Sequence, residues 1–308
     1  MKDSIGIDIS KDQLDVHRSQ TGASAQFPNN PAGFRALKSW IGNSSPDLLV
    51  YEPTGPYHAR FEKTFAGRLP LVKVNPLQAR RFAQAQGTRA KTDAVDARML
   101  ARMGSALDLL PDAPAAEDQS DLKELQIARI ALIKDQTRLK NRLKTQTLAI
   151  TQCQTKARLA QIKRHLTALQ SEMESRIKAC PKRTRSYTIL RSIPGIGQVA
   201  ATAILIACPE IGALGKKQVA CLAGLAPMTR QSGTWRGKAF IQGGRKNLRD
   251  ALYMPALVAF RYNPDMKDKY RTMINAGKPA KLALTAIMRK LIELANTLIK
   301  DDREWKPK

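Results

Sequence analysis

The sequence predicts two unlike domains: a mixed α/β domain first, a mainly helical domain last, and a long helical arm between them. Three observations carry this. Strand-like runs open the chain and then alternate with helix-like ones, the pattern of a mixed sheet with flanking helices. From Ser120 to Ala179 there is neither Gly nor Pro, and apolar residues recur at near-heptad spacing. Beyond that, helical patterns return at Leu190–Ala207, Tyr253–Arg261 and Ala280–Lys300, around a Gly-rich basic stretch. A chain of 308 residues is long enough for about two domains with real cores. The expected spans are 1–107 for the α/β domain, 108–185 for linker and arm, and 186–308 for the helical domain.

The first expected strand is the alternating, Ile-rich 4–11, SIGIDISK, with Asp8 near its end. A tight turn at Lys11-Asp12 leads to a second strand, Gln13 to Arg18, and Ala25 to Phe27 makes a short third. Phe34, Leu37 and Ile41 are spaced as one face of a helix over Pro31–Ile41. DLLVY, residues 47–51, is a buried-type strand that ends in Glu52-Pro53-Thr54-Gly55. Then come a helix over Tyr57–Gly67, a strand over Leu69–Asn75, a helix over Pro76–Ala85 and a helix over Asp93–Arg102. Asp93 and Asp96 stand three apart on one face of that last helix. Asp8 and Glu52 both close strands, and in open α/β sheets ligands sit at such ends.

The Pro/Ala/Asp stretch 108–118 reads as a linker. In the arm, Leu125, Leu132, Leu139, Leu143 and Ile150 form one stripe. Leu159, Ile162, Leu166, Leu169, Met173 and Ile177 form another. The stripes predict a helical hairpin or coiled coil, and little else in cis covers them, so a dimer arm is expected. LRSIPGIGQVAATAILIA, residues 190–207, reads as helix, PGIG turn, helix: the helix-hairpin-helix pattern, in which Gly195 and Gly197 let backbone N–H groups hold a phosphate. An ordinary helical turn is its plainer reading.

The net charge of +26 points to a polyanion, with nucleic acid the default partner. Two stretches, Gln136–Ser171 and Ile211–Arg249, each carry eight Lys/Arg and no acid, and such self-repulsion costs stability unless a polyanion neutralises it. The longest apolar run, Ala200–Cys208, is too short to span a bilayer, so no membrane partner is expected. No leader is expected either, because strand pattern follows Met1-Lys2-Asp3 at once; a cytoplasmic protein fits. Cys153, Cys180, Cys208 and Cys221 form no CxxC pair, and His17, His58 and His165 no HxH, which argues against a zinc ribbon or a histidine-metal nickase.

In so cationic a chain, a cluster of acids suggests divalent metal held near a phosphate, as in nucleases of the ribonuclease H type. Singly, Asp8 could cap a turn, Glu52 end a strand, Asp93 favour a helix N-terminus, and Asp96 pair with Arg89 or Lys91. Together, at the strand ends of one such pattern, those readings become improbable.

GIDISK, YEPTGPYH and KTDAVDARMLA, followed by PGIG, GLAP, SGTWRG and GGRKNLRDALYM, resemble the DEDD transposases of the Piv/MooV type, encoded by bacterial insertion sequences of family one-ten. The resemblance spans nearly the whole chain, in the right motif order. It implies a RuvC-like N-terminal domain, a coiled-coil arm and a C-terminal transposase domain. It implies a carboxylate tetrad of Asp8, Glu52, Asp93 and Asp96 binding one or two Mg²⁺, and Ser232 as nucleophile. It implies, further, recombination of donor and target DNA guided by a structured noncoding bridge RNA, by a dimer or tetramer joined through the arm. Arg230, Arg236 and Lys238 flank Ser232 and, with Arg245 and Lys246, are expected to hold phosphates; Trp235 is a candidate to stack on a base or sugar. A RuvC-like Holliday-junction endonuclease and a non-catalytic nucleic-acid-binding scaffold are the competing readings.

Overall fold

The computed structural model describes residues 2–42, 44–53, 55–87, 92–112 and 117–307 of the chain. Two compact units divide it, residues 1–116 and 117–308. The helical arm belongs to the second.

In the first unit, β1 (Ser4–Ile9), β2 (Gln13–Arg18) and β3 (Ser24–Pro28) form an antiparallel meander. β4 (Leu48–Tyr51) and β5 (Leu71–Lys73) add in parallel on the other side of β1, giving the order β3-β2-β1-β4-β5. Successive side chains of a strand alternate faces. Ile5, Ile7 and Ile9 therefore share one face, where they join Leu14, Val16 and Tyr51 beneath α1 (Pro31–Ile41) and α2 (His58–Phe65). On the opposite face Leu48, Val50 and Val72 meet Ala79 of α3 (Pro76–Ala85) and Met99, Leu100 and Met103 of α4 (Asp93–Ala106). Each such side chain, fully buried, contributes about 1.5–3 kcal/mol, so both faces clamp the strands that end in Asp8 and Glu52.

Local chemistry sets the helix starts. Asn30 Oδ1 accepts from the N–H of Gly33 at 2.9 Å and Asn75 Oδ1 from that of Leu77 at 2.8 Å, each ahead of a proline at the first helical position. β5 is shorter than the seven residues expected, because Pro70 has no N–H for a ladder and Asn75 turns away as a cap. α4 outruns its expected end by a turn, to Ala106. It lies unusually close to β1: a Cβ on Gly6 would fall 2.0 Å from the Ala97 carbonyl oxygen and 2.3 Å from the Ala101 nitrogen. Only glycine lets the helix backbone approach a strand this closely.

The second unit opens with α5 (Glu117–Thr145) and α6 (Ala149–Lys178), packed on each other as a helical hairpin. Leu139, Thr155 and Ile162 are buried between them, so α6 supplies in cis much of the cover expected from another copy. Ile150, placed in the expected seam, is exposed instead, along with Ile127, Ile133 and Leu148. The hairpin's base enters the main core through Leu122, Met173 and Ile177. Arg183–Asp118 and Arg176–Asp121 ion pairs tie it there.

α7 (Pro181–Ser192), α8 (Gln198–Ala207), α9 (Lys216–Leu222), α10 (Lys246–Tyr262), α11 (Pro264–Asn275) and α12 (Ala280–Lys300) build the rest of that core. Four two-residue strands interrupt them: β6 (Pro227–Met228), β7 (Gln231–Ser232), β8 (Trp235–Arg236) and β9 (Phe240–Ile241). No helix among the described residues is long and apolar enough to cross a membrane.

Candidate active site

β1 and β4 run parallel with Ile7 opposite Tyr51, so Asp8 and Glu52 are the next residues along at the same sheet edge. α4 brings the other two acids. Thr92 caps it, its Oγ1 accepting from the N–H of Val95 at 3.3 Å, and Asp93 and Asp96 occupy its first turn. Unsatisfied N–H groups there favour negative charge. Seated on Gly6, two residues before Asp8, the helix delivers that turn to the strand end.

Asp8 registers the convergence. Its carboxyl is pushed from 3.8 up to about 6, first by burial and then by the charges of Asp93, Asp96, Glu52 and Asp15. Among the described residues, no three His, Cys, Asp or Glu side chains are arranged to hold one ion. As a donor set, four carboxylates with hard oxygens suit a divalent cation such as Mg²⁺. Arg89 and Lys91, the alternative partners for Asp96, lie outside the described residues.

Asp15 was not among the expected site residues. It is paired directly with Asp8 across the β1–β2 ladder, is 4% exposed, and accepts a hydrogen bond from Gln26 Nε2 at 2.7 Å. The signal existed in the sequence. A tight turn at Lys11-Asp12 pairs residue 10 with 13, hence 8 with 15, and the N–H of Ser10 does bond the Gln13 carbonyl at 2.9 Å.

The second unit presents a different kind of site. Ser232 pairs with Trp235 across a hairpin turn in which Gly233 takes a φ of 55°. Ser232 is exposed and Trp235 is 59% exposed, its indole laid against Gly237. Arg230, Arg236 and Lys238 are exposed around it, and among the described residues none of the three forms an ion pair. The Arg230 guanidinium sits 4.7 Å over the Phe240 ring.

Arg245 and Lys246 are otherwise engaged. Arg245 grips Glu210 through two nitrogens, at 2.7 and 2.8 Å, and also donates to the Ala207 carbonyl; the pair holds the Glu210 carboxyl below its usual range. Lys246 pairs with Asp250 one turn along α10. In the PGIG turn, Gly195 has φ 106° and rests on α10, where a Cβ would meet the Pro255 carbonyl oxygen at 2.7 Å. Gly197 faces open space at the start of α8, whose first N–H groups receive no side-chain cap.

Comparison with known proteins bears on both units. Residues 5–151 match a family model described as "Transposase", and residues 187–271 one described as "Transposase IS116/IS110/IS902 family". The pilin gene-inverting protein of Moraxella bovis is 32% identical over 99% of this chain and 98% of its own length. That of Moraxella lacunata is 31% identical over the same shares. An uncharacterized 43.6 kDa protein of insertion element IS110 from Streptomyces coelicolor is 27% identical over 44% of this chain and 35% of its own length.

Proposed function

Because this chain belongs to the IS116/IS110/IS902 family of transposases, we propose that it is a DNA recombinase whose acidic edge in the first unit binds metal and whose Ser232 supplies the nucleophile. The observation that carries this is the Asp8 carboxyl, raised to about 6 by burial and four neighbouring acids in a chain of net charge +26. A cationic protein that keeps such a cluster at strand ends has a use for the repulsion. The β3-β2-β1-β4-β5 order supports the ribonuclease H-like, RuvC-like reading of that unit. The relatives whose printed name is "pilin gene-inverting protein" support DNA rearrangement as the outcome.

In this reading Asp8, Glu52, Asp93 and Asp96 hold one or two Mg²⁺. The bound metal would neutralise the scissile phosphate and stabilise charge on the attacking and leaving oxygens. Ser232 Oγ attacks phosphorus; a serine–phosphate bond forms, the bond to one DNA oxygen breaks, and the other end leaves as a hydroxyl. Conserving the bond energy in that link is what permits rejoining rather than mere hydrolysis. The unpaired Arg230, Arg236 and Lys238 hold neighbouring phosphates, and exposed Trp235 stacks on a base or sugar. The uncapped start of α8 binds a phosphate by its N–H groups. Donor and target DNA, a structured noncoding RNA, and a second copy meeting the exposed apolar residues of the α5–α6 hairpin complete the proposed assembly.

The test is a nicked suicide substrate. The intact protein forms a covalent protein–DNA adduct, Ser232→Ala forms none, and Asp8→Ala abolishes cleavage while still binding DNA. Cleavage without any adduct would identify a hydrolytic junction endonuclease instead.

A further inference from the structure

On the face of the β1–β2 ribbon that carries Asp8, but toward its other end, α4 and the sheet enclose an open cleft of about 830 Å³. Lys2, His17, Ser19, Arg98, Arg102 and Ser105 are among its lining residues. We propose that this cleft holds the sugar–phosphate backbone of a nucleic-acid strand, continuous with the phosphate presented to the acidic edge. The proposal rests on reading that edge as the cleavage site.

Cleft and edge share α4 and the β1–β2 ribbon. His17 is paired with Gly6, two residues along β1 from Asp8, about 7 Å at strand rise. On α4, Arg98 and Arg102 follow Asp96 by two and six residues, about 3 and 9 Å of helix rise. One helix thus carries acids in its first turn and, from about half a turn to two turns further on, cations on its other flank, beside His17.

The chemistry selects the ligand. Arg98 and Arg102 are exposed, one turn apart, and among the described residues neither meets a carboxylate. Like charges at that spacing repel, and an anion between them removes the repulsion. Lys2 adds a third cation, whose ammonium among the described residues meets only the fully exposed Asp108. His17 is buried, its Nδ1 2.8 Å from Ser24 Oγ; burial first, and then the charges of Arg98 and Arg102, disfavour its protonation, so the field of the arginines reaches the cleft floor. Hydroxyls of Ser19 and Ser105 stand 3.1 Å apart at the wall. Three cations, Lys2, Arg98 and Arg102, line one open trough, a shape that suits an extended polyanion. Phosphate oxygens would accept from Lys2, Arg98 and Arg102 together.

Full-length protein without divalent ion would be titrated with a labelled single-stranded oligonucleotide across a range of salt, as DNA and as RNA of the same sequence. Arg98→Ala/Arg102→Ala should weaken binding about tenfold and lower the slope of log K against log salt by about 1.4, the value for two lost phosphate contacts on a single strand. Arg98→Lys/Arg102→Lys should restore most of the slope, since Lys still neutralises phosphate. Equal losses on DNA and RNA, or a loss on one alone, each support a backbone site and say which strand fills it. An unchanged slope on both overturns it. Asp8→Asn run in parallel keeps the two claims apart: if it still cleaves, the cleavage reading fails, whatever the arginine variants do.

Discussion

The two candidate centres are built on opposite principles. Asp8 lies on a strand flanked by Ile7 and Ile9, both essentially inaccessible, and beneath a helix packed to backbone contact. Ser232 lies on a two-residue strand, exposed, at a turn held by short ladders. The first is fixed by its core before any ligand arrives. Among the described residues no carboxylate pairs with the cations of the second, and in the proposed function nucleic acid is what completes it. Placing repelling charge requires a rigid frame, whereas presenting a hydroxyl to a polymer requires access.

The largest effects should break function without treating the units alike. Asp8→Asn and Ser232→Ala should each reduce recombination by three orders of magnitude or so. Only the first should alter thermal melting, because Ser232 is exposed and bonded to nothing in the core. Equal melting shifts would erase the contrast.

Next comes Gly6→Ala. With helix backbone 2.0 Å from the added carbon, overpacking should cost about 3 kcal/mol in denaturant unfolding. Gly233→Ala meets no atom within 4 Å and bears only the left-handed backbone penalty of about 1 kcal/mol. A reversal of that order would mean that α4 yields more readily than its packing implies.

The pH dependence sharpens the comparison further. The folded Asp8 carboxyl titrates near 6 and its unfolded form near 3.8, so the folded state binds the proton more tightly. Its contribution to stability is present below pH 4 and is lost as pH rises through 6. Metal-free Asp8→Asn should therefore melt higher than the parent at pH 7, by on the order of 2 kcal/mol, and alike at pH 4. If Asp8 binds metal as proposed, cleavage should rise as pH passes 6, since only the ionised acid would serve as ligand. A flat stability difference across that window would remove the charge crowding from the account. The smallest effect should come from Gln26→Leu, which strips Asp15 of its hydrogen bond at the sheet edge and should shift the Asp8 titration by a few tenths of a pH unit in an NMR titration.

Much of this was legible in the chain. The strand carrying Asp8, the strand that ends at Glu52 and the helix of Asp93 and Asp96 all announce themselves through local pattern, and these elements position four of the five predicted chemical residues; the Gly-free arm is as plain. What escaped did so for physical reasons. Strands β6–β9 are two residues each, too short for any periodicity. α9 has seven residues, and α11 buries only Met266, so neither shows a stripe. Arg245 looks like a phosphate ligand beside Lys246 until Glu210, thirty-five residues earlier, closes on it. The partner of Asp8 needed the register of a turn, not the identity of a residue.

The α5–α6 hairpin has a mechanical consequence. Its helices hold 29 and 30 residues, about 43–45 Å each, while its fastening to the rest of the unit lies near one end, at Leu122, Met173 and Ile177. It is a lever with its fulcrum at the root: a tilt of about 5° there sweeps Leu148 through about 4 Å. Whatever grasps the far end thus inherits its positional error from the apolar seat at Leu122, Met173 and Ile177 and the ion pairs of Asp118 and Asp121 beside it.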